Sequence, residues 1–162
     1  MFTAGVLTIS DKGSRGERRD ESGQVIQRCL AAIGIEQKQH DIVPDEREAI
    51  SAKLRDWADK GLDIVITTGG TGLAPRDVTP EATRDVLDRE APGFAEAMRK
   101  HSLDITPLAM LSRAVSGIRG RTLIINLPGS PKAVSECLEA IAPALPHALE
   151  TLKGQAAECA RE

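Results

Sequence analysis

Tyrosine is absent, and the only aromatic side chains are one tryptophan and two phenylalanines, 2% of the chain. Single-strand nucleic-acid platforms stack bases on aromatic rings, so that class is excluded. Basic charge is not in excess either: 21 Lys and Arg stand against 24 Asp and Glu, a formal net charge of −3, which argues against gripping a nucleic-acid backbone. Cysteine is sparse. Cys29, Cys137 and Cys159 are odd in number, far apart and without a CxxC, and the first two lie on amphipathic helical patterns where buried thiols are expected. His40, His101 and His147 are as scattered, which argues against a zinc site. No apolar run reaches the length of a membrane span, and the opening MFTAGVLTIS has no positively charged n-region. No membrane partner and a cytoplasmic location are therefore expected.

What is present suits one soluble α/β domain. The chain has 162 residues, 41% hydrophobic and 28% charged, enough for one sizeable core filled by aliphatic side chains. No repeat, linker or second domain is evident. Residues 1–154 read as a single domain and 155–162 as a short polar tail that frays.

One stretch organises the rest: Thr67-Thr-Gly-Gly-Thr-Gly-Leu-Ala-Pro-Arg-Asp-Val-Thr-Pro80. Before it, Asp63 to Thr67 is apolar on both faces and rich in β-branched residues, the pattern of a strand in a parallel sheet covered by helices. Gly69, Gly70 and Gly72 then crowd the strand's C-terminal end, where glycine serves positive φ or close backbone approach. Thr79 fits a helix N-cap and Pro80 the first helical position. The loop thus joins a buried strand to a helix while displaying amides, hydroxyls and the Asp77 carboxylate, at the place where open α/β sheets bind ligands. It is not a Walker A loop, because no Lys-Ser or Lys-Thr follows Gly72. Pro75 and Pro80 also rule out a dinucleotide fingerprint.

The remaining segments alternate strand, loop and helix. Thr3 to Ser10 reads as a strand ending in Ser10-Asp11, and the charged loop Lys12 to Arg19 reads as a mobile solvated segment able to act as a lid. A helix follows over Ser22 to Ile33, with Gly34 as C-cap, then a strand over Ile35 to Val43. Asp45 suits the N-cap of a helix running to Lys60. Helices are expected from Pro80 to about Glu90 and from Phe94 to His101, then an irregular stretch from Ser102 to Ala114. Two strands meet at Gly120 in a hairpin, and Asn126 to Ser130 leads into a helix capped by Ser130. That helix runs from Pro131 to about Leu152, with Pro143 and Pro146 bending or splitting it. The predicted fold is a three-layer α/β sandwich with a mostly parallel, mixed central sheet. Three loops, at Ser10-Asp11, Gly69 to Asp77 and Pro128 to Ser130, then converge on one sheet edge.

These motifs resemble the molybdenum-cofactor biosynthesis family, which includes bacterial molybdopterin adenylyltransferases, MoaB-type proteins and the gephyrin G domain. The likeness runs through Ser10-Asp11, Asp20-x-Ser-Gly, Pro44-Asp45-Glu46, TTGGTG with RDVTPEAT, PGF, Ser112-Arg113 and INLPGSPK, covering nearly the whole chain in order. The resemblance implies adenylylation of molybdopterin by ATP with Mg2+ and release of pyrophosphate, a homotrimer, and hand-over of product to a molybdenum insertase. It implies catalytic roles for Asp45 and Asp77, with the glycine loop in the pocket.

Elementary chemistry agrees with those roles in part. A phosphate monoester has a second pKa of about 6 and needs no base to become a nucleophile near neutrality. Asp45 and Asp77 therefore suit metal ligation better than proton abstraction. Candidate substrate-binding groups are Ser10, Asp11, Gly69, Gly70, Thr71, Gly72, Ser102, Pro128, Gly129 and Ser130, with Arg76 and Lys132 as added positive charge. Two alternatives stand beside the enzyme: a MoaB-like protein that binds molybdopterin without adenylylating it, and a relative of competence-damage proteins acting on another phosphate-containing substrate.

Overall fold

A computed structural model describes residues 1–155; Cys159 and, apart from Gln155, the expected frayed tail lie outside the described residues. The first strand, β1 (Phe2–Ile9), divides its side chains between two apolar clusters: Ala4 and Val6 enter one, Leu7 and Ile9 the other. A single helical turn, α1 (Asp11–Ser14), and a longer helix, α2 (Glu21–Ala32), follow. β2 (Ile35–Val43) leads to α3 (Arg47–Asp59), then β3 (Ile64–Thr68), whose five residues are all buried. α4 (Thr79–Arg84), β4 (Arg89–Glu90) and α5 (Gly93–Leu103) precede a 3-10 turn at Pro107–Leu111. β5 (Ser116–Arg119), β6 (Thr122–Leu127), α6 (Pro131–Ile141) and α7 (Leu145–Leu152) complete the described chain.

The six strands form one sheet in the order β2-β1-β3-β6-β5-β4. Pairing is parallel from β2 through β6 and antiparallel for β5 and β4, the predicted mixed sheet. Strands apolar on both faces must be covered on both. On one side Ile26 and Leu30 of α2, Met98 of α5, Val134 and Leu138 of α6, and Leu145 of α7 close over Ile64 and Ile125. On the other, Ile50, Leu54 and Trp57 of α3 with Ala82 of α4 cover Leu7, Val65 and Ile124. Each fully buried Leu or Ile contributes roughly 1.5–3 kcal/mol, so an aliphatic core suffices without a cluster of rings.

Several boundaries differ from expectation. The helix expected from Pro80 to Glu90 ends at Arg84, and Arg89 and Glu90 pair instead with Ile118 and Gly117. A two-residue strand carries no periodicity and is created by the edge it meets. The C-terminal helix is split at Pro143 by a 3-10 turn, Ala142–Ala144, before α7. The hairpin falls as expected, with Gly120 at φ +58° between Arg119 and Thr122. Cys137 is buried, whereas Cys29 is only half-buried at the rim of α2.

Asn126 ties this architecture together beneath the sheet edge. It is fully buried; its Nδ2 donates to Thr67 Oγ1 and Thr83 Oγ1 at 3.0 and 2.9 Å, and its Oδ1 accepts from the Val115 amide at 3.2 Å. A buried amide so fully partnered fixes β3, β6 and α4 relative to one another.

Candidate active site

The four parallel strands end level: Ile9 pairs with Val43, Thr8 with Thr68, and Thr68 with Leu127. Their following loops leave by one edge, so Pro44-Asp45 joins the three loops predicted to converge. The order turns back between β1 and β3, which opens a crevice at the strand ends.

The glycine loop fits this crevice closely. Gly69 has φ +98°, and a Cβ there would lie 2.3 Å from the Ile9 carbonyl oxygen. Gly70 has φ +68° and is hemmed by Thr79 Oγ1. Thr79 is not the helix N-cap that was expected. Val78 occupies that position, and Thr79 is buried, donating its hydroxyl to the Gly69 carbonyl at 2.9 Å and its amide to the Gly70 carbonyl at 3.1 Å. The N–H groups of Gly70, Thr71 and Gly72 donate to no acceptor among the described residues, which leaves them for an anion.

Asp45 is not an N-cap either; Glu46 precedes α3 without a side-chain cap. Instead Asp45 and Asp11 exchange hydrogen bonds. Asp45 Oδ2 accepts from the Asp11 amide at 2.9 Å, and Asp11 Oδ1 accepts from the Asp45 amide at 3.0 Å. Burial pushes the Asp45 carboxyl above the ordinary carboxylate range; the Asp11 amide opposes this, and the Asp11 and Asp77 charges add to it. Arg76 grips Asp11 through Nε at 2.6 Å and Nη2 at 2.8 Å. That guanidinium, helped by the Asp45 amide, lowers the Asp11 pKa to about 2 although partial burial opposes it. Asp77 Oδ2 accepts from the Ala74 amide at 3.0 Å, closing the turn that carries it.

Two cavities meet at this loop. One, of about 670 Å³, is lined by Ser10, Asp45, Gly69, Gly70, Asp77, Gly129 and Ser130 among the predicted site residues. The other, of about 440 Å³, takes Gly70, Thr71, Gly72, Asp77, Ser102, Pro128 and Gly129, with the apolar Met98, Leu108 and Leu111. Asp11 lines neither and works through Asp45 and Arg76. Arg76 and Lys132 also stand outside both cavities.

The charged loop after β1 departs from its expected form. Ser10 caps α1, its hydroxyl accepting from the Gly13 amide at 2.9 Å, so the first half of the expected mobile lid is helical and tied to Asp45 through Asp11. Arg18 and Arg19 line the larger cavity, a role their alternation with acids concealed. Asp20 caps α2 through the Gly23 amide at 2.9 Å; it also accepts from Thr8 Oγ1 at 2.8 Å and meets His40 Nε2 at 2.7 Å. Ser22 donates to the Gly129 carbonyl at 2.7 Å, joining α2 to the third loop. Neither contact is visible in local sequence.

Asp45 and Asp77 offer hard oxygen donors on one cavity, and the Asp77 charge destabilises ionised Asp45 there. A divalent cation would relieve that repulsion. No group of three or more His, Cys, Asp or Glu is assembled around such a cation among the described residues. The pair fits magnesium, which commonly takes one or two carboxylates and completes its sphere with water and substrate phosphates.

A glycine loop whose amides have no acceptor among the described residues, at the switch point of a helix-covered parallel sheet, is an arrangement suited to phosphate ligands, and the sheet and its layers define an α/β protein. The chain belongs to the MoCF_biosynth family, described as a probable molybdopterin binding domain, whose model matches residues 5–147. It is 47% identical to a molybdopterin adenylyltransferase of Helicobacter pylori strain J99, over 93% of this chain and 87% of that protein. The molybdopterin adenylyltransferase of Escherichia coli K12 is 39% identical over 98% of this chain and 89% of its own. Among solved structures, the molybdopterin biosynthesis enzyme MoaB of Thermus thermophilus superposes with a TM-score of 0.90 at 58% identity, covering 95% of this chain and 98% of that one.

Proposed function

We propose that the chain is a nucleotidyltransferase of molybdenum-cofactor biosynthesis that adenylylates molybdopterin with ATP. The observation that carries this reading is the pair Asp45 and Asp77 facing one cavity across a loop of unpaired amides; the names of its relatives in Helicobacter pylori and Escherichia coli support it. A terminal phosphate oxygen of molybdopterin attacks the α-phosphorus of ATP. A new P–O bond forms, the bond to the bridging oxygen of the β-phosphate breaks, and pyrophosphate leaves with its electron pair. No side chain removes a proton from a nucleophile that is already ionised. The task is to bring one anion to another. Arg18 and Arg19, the amides of Gly70 to Gly72, and the N-terminus of α6 behind Ser130 supply the opposing charge. Magnesium, held by Asp45 and Asp77 with substrate phosphates, would add positive charge where the phosphates meet. Ser10, Thr71, Ser102, Pro128 and Gly129 then orient the two substrates in the adjoining cavities, with Asp11 steadying Asp45.

The test is pyrophosphate release from ATP with and without molybdopterin. Release that requires the pterin is expected. Retention of the pterin without release would reassign the chain to the MoaB-like binding role.

The same proposal takes residues 1–154 as one domain, working in the cytoplasm and passing its product to a molybdenum insertase. No helix among the described residues is long and apolar enough to cross a membrane. Assembly as a homotrimer would cover exposed Ile105, Leu108, Met110 and Leu111. Light scattering at micromolar protein is expected to give a trimer mass; a monomer mass would contradict the assembly.

A further inference from the structure

We infer that Arg113 is a positioning residue that clamps the glycine loop from behind and sets where Asp77 faces; its catalytic consequence rests on the function proposed above. Arg113 lines neither cavity. Its half-buried guanidinium spans both ends of the loop's outer segment. Nε donates to the Gly72 carbonyl at 2.8 Å, Nη2 donates to the Asp77 carbonyl at 2.6 Å, and Nη1 donates to Glu81 Oε1 on α4. Its backbone amide adds a bond to the Thr71 carbonyl at 2.8 Å. Four attachments therefore bracket residues 71–81 from a segment more than thirty positions away.

Residues 73–76 between those anchor points are exposed, and of these Arg76 reaches outside the segment, to Asp11. Asp77 closes its own turn with Ala74, but that bond lies within the segment and cannot fix it to the core. Arg76 ties the segment to Asp11 on the exposed α1 turn, and Arg113 ties both of its ends to the core side. The clamp is itself held: Arg99 of α5 donates to the carbonyls on either side of Arg113, Ser112 at 3.4 Å and Ala114 at 2.9 Å. α5 in turn packs into the core through Ala95 and Met98. Burial works against ionisation of Glu81, yet the Arg113 hydrogen bond, its own backbone amide and the Arg113 and Arg84 charges together hold its carboxyl below the ordinary range.

A planar guanidinium can serve two carbonyls and a carboxylate at once. An ammonium group is a single point with no such fork, so lysine keeps the charge and loses the geometry. This separates positioning from simple electrostatics. A misplacement of about 1 Å can cost on the order of 100-fold in rate.

The experiment compares wild type, Arg113→Lys and Glu81→Gln by amide hydrogen exchange and by steady-state kinetics. In Arg113→Lys, exchange at the hydrogen-bonded amides of Ala74, Asp77 and Thr79 is expected to accelerate while β3 and β6 stay protected. kcat is expected to fall about 100-fold, with KM for ATP within a few-fold. Glu81→Gln leaves both carbonyl bonds and is expected to show the same local loosening with a smaller rate loss. Unchanged exchange at Ala74, Asp77 and Thr79 in Arg113→Lys, or equal acceleration across the whole chain, would overturn the clamp. Local loosening with undiminished kcat would overturn its link to Asp77. The exchange measurement needs no turnover, so it still decides the clamp if the proposed reaction fails.

Discussion

Asp77→Asn is expected to lower pyrophosphate release about a thousandfold, or roughly 4 kcal/mol of lost transition-state stabilisation, while molybdopterin affinity changes little. The structure makes this substitution cleaner than the sequence alone could. The Asp77 carboxylate has a structural duty, accepting from the Ala74 amide at 3.0 Å, and an asparagine oxygen can take over that bond. The Asp77 carbonyl keeps its bond from Arg113 whatever the side chain. What disappears is one negative charge on the cavity shared with Asp45. A turn-forming role therefore predicts near-normal turnover, and a metal-holding role predicts the large loss. Pterin affinity and pyrophosphate release are measured on the same preparation after circular dichroism confirms folding. Intact turnover would remove Asp77 from the chemistry. Loss of pterin affinity together with turnover would make it a substrate-binding group instead.

Gly69→Ala is expected to destabilise the protein by about 3 kcal/mol, a fall in Tm of roughly 6–12 °C for a chain of this size. Two costs add here. A φ of +98° is unfavourable for any side chain with a Cβ. The new methyl would also meet the Ile9 carbonyl oxygen at 2.3 Å, and that oxygen belongs to the backbone of β1 and cannot swing away. The loop must move, and with it the Gly69 amide that donates to Leu127 at 3.2 Å and the Gly69 carbonyl that receives Thr79. Turnover should fall with stability, because the amides of Gly70 to Gly72 ride on the same backbone. Thermal unfolding followed by circular dichroism gives the answer. A Tm within a degree or two of wild type would mean that the β1–β3 crevice is more yielding than its geometry implies.

Local sequence was informative wherever a feature is decided by neighbours in the chain. β3 and β6 announce themselves as apolar on both faces, which requires covering layers and hence a central sheet. Three glycines within four positions mark the strand end where backbone must approach something closely. Ser130 caps α6 as its position before Pro131 suggests, its hydroxyl accepting from the Ala133 amide at 3.2 Å. Aliphatic composition, net negative charge and the lack of aromatics likewise follow from counting.

Tertiary structure decided the rest, because those contacts join residues with no fixed spacing in the chain. Asp45 reads as a helix cap until folding brings Asp11 to it from 34 positions away; then its carboxylate belongs to the cavity instead. Thr79 reads as a cap until Gly69 and Gly70 turn their carbonyls toward it. β4 exists only because β5 offers an edge. Ser112-Arg113 stands out only through the family resemblance, and nothing local shows that Arg113 attaches to Gly72 across 41 positions. Periodicity and capping are short-range effects of backbone geometry, legible within a few turns of chain. Which carboxylate is desolvated, and which arginine closes on which carbonyl, depends on how the covered sheet brings four loops to one edge.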